Sequence, residues 1–105
     1  MGNFQKEYGE SELLDNYLNQ AIAEVLKELR TSRNWSFTEL AKKMNNIVSR
    51  QTLNNYELAK SKLRMKMFFE FAKVYNIEPK DLYEKINMRY LSKLDKHIEQ
   101  MKRSD

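Results

Sequence analysis

Between Ser49 and Leu58 the chain reads Ser-Arg-Gln-Thr-Leu-Asn-Asn-Tyr-Glu-Leu, and its outward-facing polar side chains include Gln51, Thr52, Asn54 and Asn55. A planar amide offers a donor and an acceptor side by side, the pattern that pairs bidentately with the edge of adenine in a DNA major groove. On a helix advancing about 100° per residue with Leu53 inward, Gln51 and Asn55 point almost directly away from the core, with Thr52, Asn54 and Leu58 on the flanks. A merely solvated face more often carries Glu, Lys and Ala, so the amides favour contact with base edges. Lys60, Lys62, Arg64 and Lys66 follow at once. Such a run of cations suits phosphate oxygens, contacts that set position on a duplex rather than sequence preference.

Those side chains need elements to hold them. Ser49 caps their helix, and Val48 before it forms a hydrophobic staple with Leu53 that fixes the angle at which the chain enters. Upstream, Ser36-Phe37-Thr38-Glu39 is a capping box, and Phe37, Leu40, Ala41 and Met44 give a short helix its inward face. Asn45-Asn46 stops that helix, since Asn tolerates the left-handed conformation. Two short helices joined in this way over residues 36–60 form a helix-turn-helix.

Leu13, Leu14, Tyr17, Ala21, Ile22, Val25, Leu26 and Leu29 recur at helical spacing and predict a preceding helix over about 12–31. Residues 1–10 are polar and are expected to form a flexible N-terminal segment. Met65, Phe68, Phe69, Ala72 and Tyr75 predict a fourth helix with an aromatic core stripe, stopped at Asn76. Pro79 suits the first turn of a fifth, with Asp81 and Glu84 after it, running toward Met101. Leu82 and Ile86 are expected to finish the core. Beyond them Leu91, Leu94, Ile98 and Met101 repeat with 3-4-3 spacing, enough to extend a dimer interface or to dock back on the first helix. The expected organisation is thus a segment 1–10, a helix-turn-helix domain over 11–86, and a helical extension over 87–105.

Composition narrows the function. A chain of 105 residues is one domain, and two glycines and one proline against 32% charged residues favour long helices with short connections. The absence of cysteine excludes disulfides, thiolate metal sites and cysteine nucleophiles. No Gly-rich phosphate loop, metal-ligand spacing or nucleophile constellation stands in the sequence, and the one histidine, His97, lies on a charged helix without a convergent partner, so no enzyme, cofactor or metal is expected. No apolar run approaches the ~18–20 residues of a membrane span. The start lacks a signal-peptide core, and Lys6 stands where an acylated Gly2 would want Ser or Thr, so a cytoplasmic protein is expected. The net charge of +4 is uneven: residues 1–32 carry −3, residues 33–66 carry +6 and residues 67–105 carry +1. The basic charge coincides with the amide-bearing segment, as a phosphate-facing surface requires.

The stretch from about Ile22 to Ile86 resembles the phage-repressor, or XRE/Cro-like, helix-turn-helix family. The resemblance is carried by Val25-Leu26-Lys27-Glu28-Leu29-Arg30, by Phe37-Thr38-Glu39-Leu40-Ala41, by Val48-Ser49-Arg50-Gln51-Thr52-Leu53-Asn54-Asn55-Tyr56-Glu57, and by Phe68, Phe71-Ala72, Tyr75-Asn76-Ile77 and Leu82. It implies an all-α, compact five-helix lambda-repressor-like DNA-binding domain, extended in this chain by a long first helix and a long C-terminal helix. It implies a homodimeric regulator of transcription, most often a repressor, reading a near-palindromic operator on double-stranded DNA in a phage, plasmid or restriction setting. It places base contacts on Arg50, Gln51 and Asn55, with Thr52 and Asn54 adjacent, and pairs Arg30 with Glu57.

Three departures stand out. The connection Asn45-Asn46-Ile47-Val48 is two residues longer than the usual turn. Phe37 replaces a phosphate-binding Gln, leaving that contact to Ser36 and Thr38. Ala59 replaces the usual Gly after the recognition helix; a left-handed conformation there costs about 1 kcal/mol, which favours the helix running on. The same fold also serves as a protein-interaction module, an antitoxin or adaptor, and the long first helix and the tail from Met88 are the candidate surfaces for such a partner.

Overall fold

Five runs of helical periodicity with few breakers give a chain of helices and, among the described residues, no strand. The computed structural model describes residues 2–103, with side chains described from residue 12 onward. Its helices are α1 (Gly2–Thr31), α2 (Phe37–Lys43), α3 (Arg50–Glu57), α4 (Met65–Val74) and α5 (Pro79–Arg103). α1 starts ten residues before the expected boundary, and the flexible segment expected over 1–10 falls on residues whose side chains lie outside the described set. No helix among the described residues is long and apolar enough to cross a membrane.

The core takes a side chain from every helix. Leu26, Leu40, Leu53, Phe71 and Leu82 are all but fully enclosed, as is Tyr75 at the end of α4. Tyr56 meets Phe71 edge-on at 5.8 Å, and Trp35 stacks on Tyr75 at 5.6 Å. These aromatic contacts draw Phe71 inward and set the rotation of α4. The expected stripe is therefore corrected: Phe71, Ala72 and Tyr75 are buried and Phe68 partly so, whereas Met65 and Phe69 face outward. The Tyr75 hydroxyl is buried without a hydrogen-bond partner, and burial pushes it above its ordinary pKa.

Each of the first four helices ends the same way. Asn34, Asn45, Ala59 and Asn76 take left-handed φ angles between 55° and 58°, and the next backbone N–H closes back on the helix. Those closures run from Trp35 to the Arg30 carbonyl (3.2 Å), Asn46 to Ala41 (2.8 Å), Lys60 to Asn55 (2.9 Å) and Ile77 to Ala72 (2.9 Å). Asn46 repeats the left-handed conformation at φ 57°, which accommodates the longer connection before α3. Ala59 overturns the expectation that α3 runs on: the helix stops at Glu57, and the hydrogen bonds of the cap offset the alanine's steric cost. Ala59→Gly is accordingly expected to stabilise the fold by up to about 1 kcal/mol, less the entropy that glycine adds to the unfolded chain. A thermal melt checks it, with a rise of a few degrees expected and a fall excluding strain at this position.

α5 folds back antiparallel on α1. Arg89 bridges Glu24 and Glu28, Lys93 reaches Glu24, and the Tyr17 hydroxyl meets His97 Nδ1 at 3.2 Å. Burial raises the Glu24 carboxyl, but the hydrogen bonds from Lys93 and Arg89 outweigh it, so Glu24 titrates below its ordinary value of 4.5. A depressed carboxylate stabilises above its unfolded pKa and loses that contribution as pH falls through its folded value. Below about pH 4.5 the contact between α1 and α5 is therefore expected to loosen, read as faster amide exchange in residues 87–103, and Glu24→Gln should remove that acid-side dependence.

Candidate nucleic-acid interface

Cap chemistry sets the start of α3. Ser49 Oγ accepts from the Thr52 N–H at 3.1 Å and lies 2.9 Å from Thr52 Oγ1. Val48 is partly buried against the core, so the helix is anchored at its first turn from both sides. The arrangement holds the Thr52 hydroxyl near the cap and leaves Gln51 exposed, with Asn54 and Asn55 half-buried. Gln51 Nε2 donates to Asn55 Oδ1 at 3.4 Å across one turn, so the two amides face the same way.

α2 supplies the second wall. Ser36 closes its capping box by accepting from the Glu39 N–H at 3.1 Å. Thr38, on its exposed side, accepts from Arg50 Nη1 at 3.2 Å. Ser36, Phe37, Thr38, Arg50, Gln51 and Asn54 together line one shallow open groove. The structure thus brings five of the sequence-predicted contacts, Ser36, Thr38, Arg50, Gln51 and Asn54, around one groove, with Asn55 one turn from Gln51. Arg50, which projects toward the core side on an ideal helix, is exposed and held outward by Thr38.

The basic run is less unified. Lys60, Lys62, Arg64 and Lys66 are all exposed, but Lys62 lines a different pocket with Asp15, Leu18, Asn19, Ile22 and Leu63, on the α1 side of the loop. Leu91, Leu94, Ile98 and Met101 stand on α5, away from this groove; Leu94 is half-buried and the other three are exposed.

Arg30 and Glu57 lock the groove's frame. Arg30 Nε donates to Glu57 Oε2 at 2.7 Å and Nη2 to Oε1 at 2.9 Å, while Nη1 donates to the Trp35 carbonyl at 2.8 Å. Its guanidinium also lies 4.1 Å from the centre of the Phe37 ring. The hydrogen bond to Glu57 raises the Arg30 pKa against the opposing effect of burial. A second clamp escaped the sequence reading. Arg33 donates to the Leu29 and Tyr75 carbonyls and lies over the Tyr75 ring, tying the end of α1 to the end of α4. Periodicity gives no signal for a residue outside any helix, and the same holds for Ile47, which the lengthened connection leaves half-exposed two residues before the Ser49 cap.

Comparison with known proteins agrees with this geometry. A protein-family model described as helix-turn-helix matches residues 26–82, more than half of the chain, and takes in the whole of α2, α3 and α4. No curated protein and no solved structure matches the chain. The capped pair α2–α3, its arginine–glutamate lock and the extent of the family match lead to one conclusion: the chain belongs to the phage-repressor, XRE/Cro-like helix-turn-helix family of DNA-binding regulators.

Proposed function

We propose that the protein is a sequence-specific, homodimeric transcriptional repressor of the cytoplasm that reads a near-palindromic operator with α3 in the major groove. The observation that carries this reading is the outward amide of Gln51 beside Arg50 in a groove open to solvent, paired with the Asn55 amide one turn on. Arg50, Gln51, Asn54 and Asn55 are assigned to base edges. Thr52 joins them through its methyl group, because its hydroxyl sits at the cap. Ser36, Thr38, Lys60, Lys62, Arg64 and Lys66 are assigned to phosphates. Two such helices would meet half-sites about one helical turn apart.

Selection of bound DNA from a random pool tests the reading, followed by a shift assay at ~150 mM salt with random DNA as competitor. A single enriched sequence with two-fold symmetry is the expected result; binding that random DNA abolishes would leave only electrostatic attraction. One observation favours a second reading, a protein-binding antitoxin or adaptor: the apolar surface exposed on α1, α4 and α5. Stable co-purification with a small unrelated protein, together with no enriched DNA sequence, would decide for it.

A further inference from the structure

Many of the large hydrophobic side chains exposed among the described residues, though not Ile47, Leu58 or Met88, belong to one side of α1, α4 and α5. Leu18 of α1, Leu63 and Met65 around the start of α4, Phe68, and Tyr83 and Ile86 of α5 line one depression whose surface is almost wholly apolar. Its rim extends the same surface. Leu14 lies one turn before Leu18, and Phe69 stands edge-on against Phe68 at 5.6 Å. Along α5, Leu91, Leu94 and Ile98 point within about 80° of Tyr83, whereas Met88 points roughly 140° away and lines the opposite groove with Lys85 and Arg89.

Met65 is 70% exposed, Tyr83 62% and Phe69 52%. With Leu14, Leu18, Leu91 and Ile98 the face brings together seven large apolar side chains exposed to water, the kind of surface that marks an interaction site.

We propose that this face seats a second copy of the chain, so that the α1–α5 arms of two protomers close into a four-helix arrangement with the depression at its base. Three features favour a second copy over another partner. The stripe Asn87, Leu91, Leu94, Ile98 has the 3-4 seam spacing by which like helices pair. Two antiparallel arms, each apolar on one side, are halves of a bundle. The adjoining edge carries both charge signs, Asp15 beside Lys62, and so suits a self-complementary contact better than a partner of one strong charge. The inference rests on the reading of the protein as a dimer and names the surface that makes it, adding Leu14, Leu18, Met65 and Tyr83 to the α5 stripe.

The test is the mass of the full chain in solution without DNA. The wild-type chain is expected at twice its 12.7 kDa. Leu91→Glu and Tyr83→Glu, each judged for folding by circular dichroism, should raise the dimer dissociation constant at least about tenfold. Met88→Glu, an equally exposed position on the other side of α5, should leave it unchanged. A monomeric wild type overturns the proposal, as do Leu91→Glu and Tyr83→Glu variants that keep the wild-type dissociation constant, or a Met88→Glu variant that dissociates as readily as they do. A monomer that binds a selected half-site would sink this face and spare the DNA reading; a stable dimer that selects no DNA would do the reverse.

Discussion

Glu57→Ala is expected to lower stability by about 3–5 kcal/mol, the range for removing one partner of a buried ion pair. The Arg30 side chain is 14% exposed and that of Glu57 4%, so neither charge is bathed in water. The two bonds are parallel and charge-assisted, and the third arm of the guanidinium holds the Trp35 carbonyl, so each nitrogen of the Arg30 side chain makes a hydrogen bond. Taking Glu57 away leaves a guanidinium enclosed by Phe37 and the helix ends with its charge unanswered. At about 4–8 °C per kcal/mol for a domain near this size, the melting temperature should fall by at least about 12 °C. The double replacement Arg30→Met with Glu57→Leu should recover much of the loss, because it removes both desolvated charges together. A loss below about 1 kcal/mol for Glu57→Ala would instead show the pair behaving like a solvated surface bridge. The effect reaches function through the frame: the pair ties the end of α1 to the end of α3, and Phe37 at the start of α2 packs over it.

That pair also shows which parts of the molecule the sequence discloses. Caps are local chemistry, so Ser36 with Glu39, Ser49, the Asn45-Asn46 stop, Asn76 and Pro79 were all readable from neighbours within four residues. The outward amides of α3 were readable for the same reason, since one inward Leu53 fixes the whole rotation of a short helix. What eluded the sequence depends on distant partners. Met65 and Phe69 satisfy the helical period as well as Phe71 does, and only the contacts of Phe71 with Tyr56 and Tyr75 decide which face turns inward. Ala59 carries no sign of a left-handed conformation, because the bonds that hold it come from the closing cap. The α5 stripe fitted both a dimer seam and a return onto α1; Arg89 and Lys93 meeting Glu24, across more than sixty residues, establish the return and leave one apolar side of the arm outward.

Gln51→Ala and Asn55→Ala are each expected to reduce discrimination at one base pair per half-site by about 1–3 kcal/mol, roughly 5–150-fold between the preferred base and its competitor. The reason lies in what the free side chains already do. Gln51 Nε2 donates to Asn55 Oδ1, which fixes which way both amides turn before any base arrives. Losing one amide therefore frees the other, and the double variant should lose less than the sum of the two single losses. Arg50→Ala should behave differently, because Arg50 is steadied by Thr38 rather than by the amide pair, so its loss should add to either. Lys60→Ala and Lys66→Ala should weaken every sequence alike and reduce the slope of log affinity against log salt by about one each, the signature of a phosphate contact. Measured on the selected operator and on single-base variants of it, these four patterns separate reading from holding. Base preferences unchanged by both amide substitutions, with the salt slope still falling for the lysines, would move the reading surface away from α3 while leaving the basic loop in place.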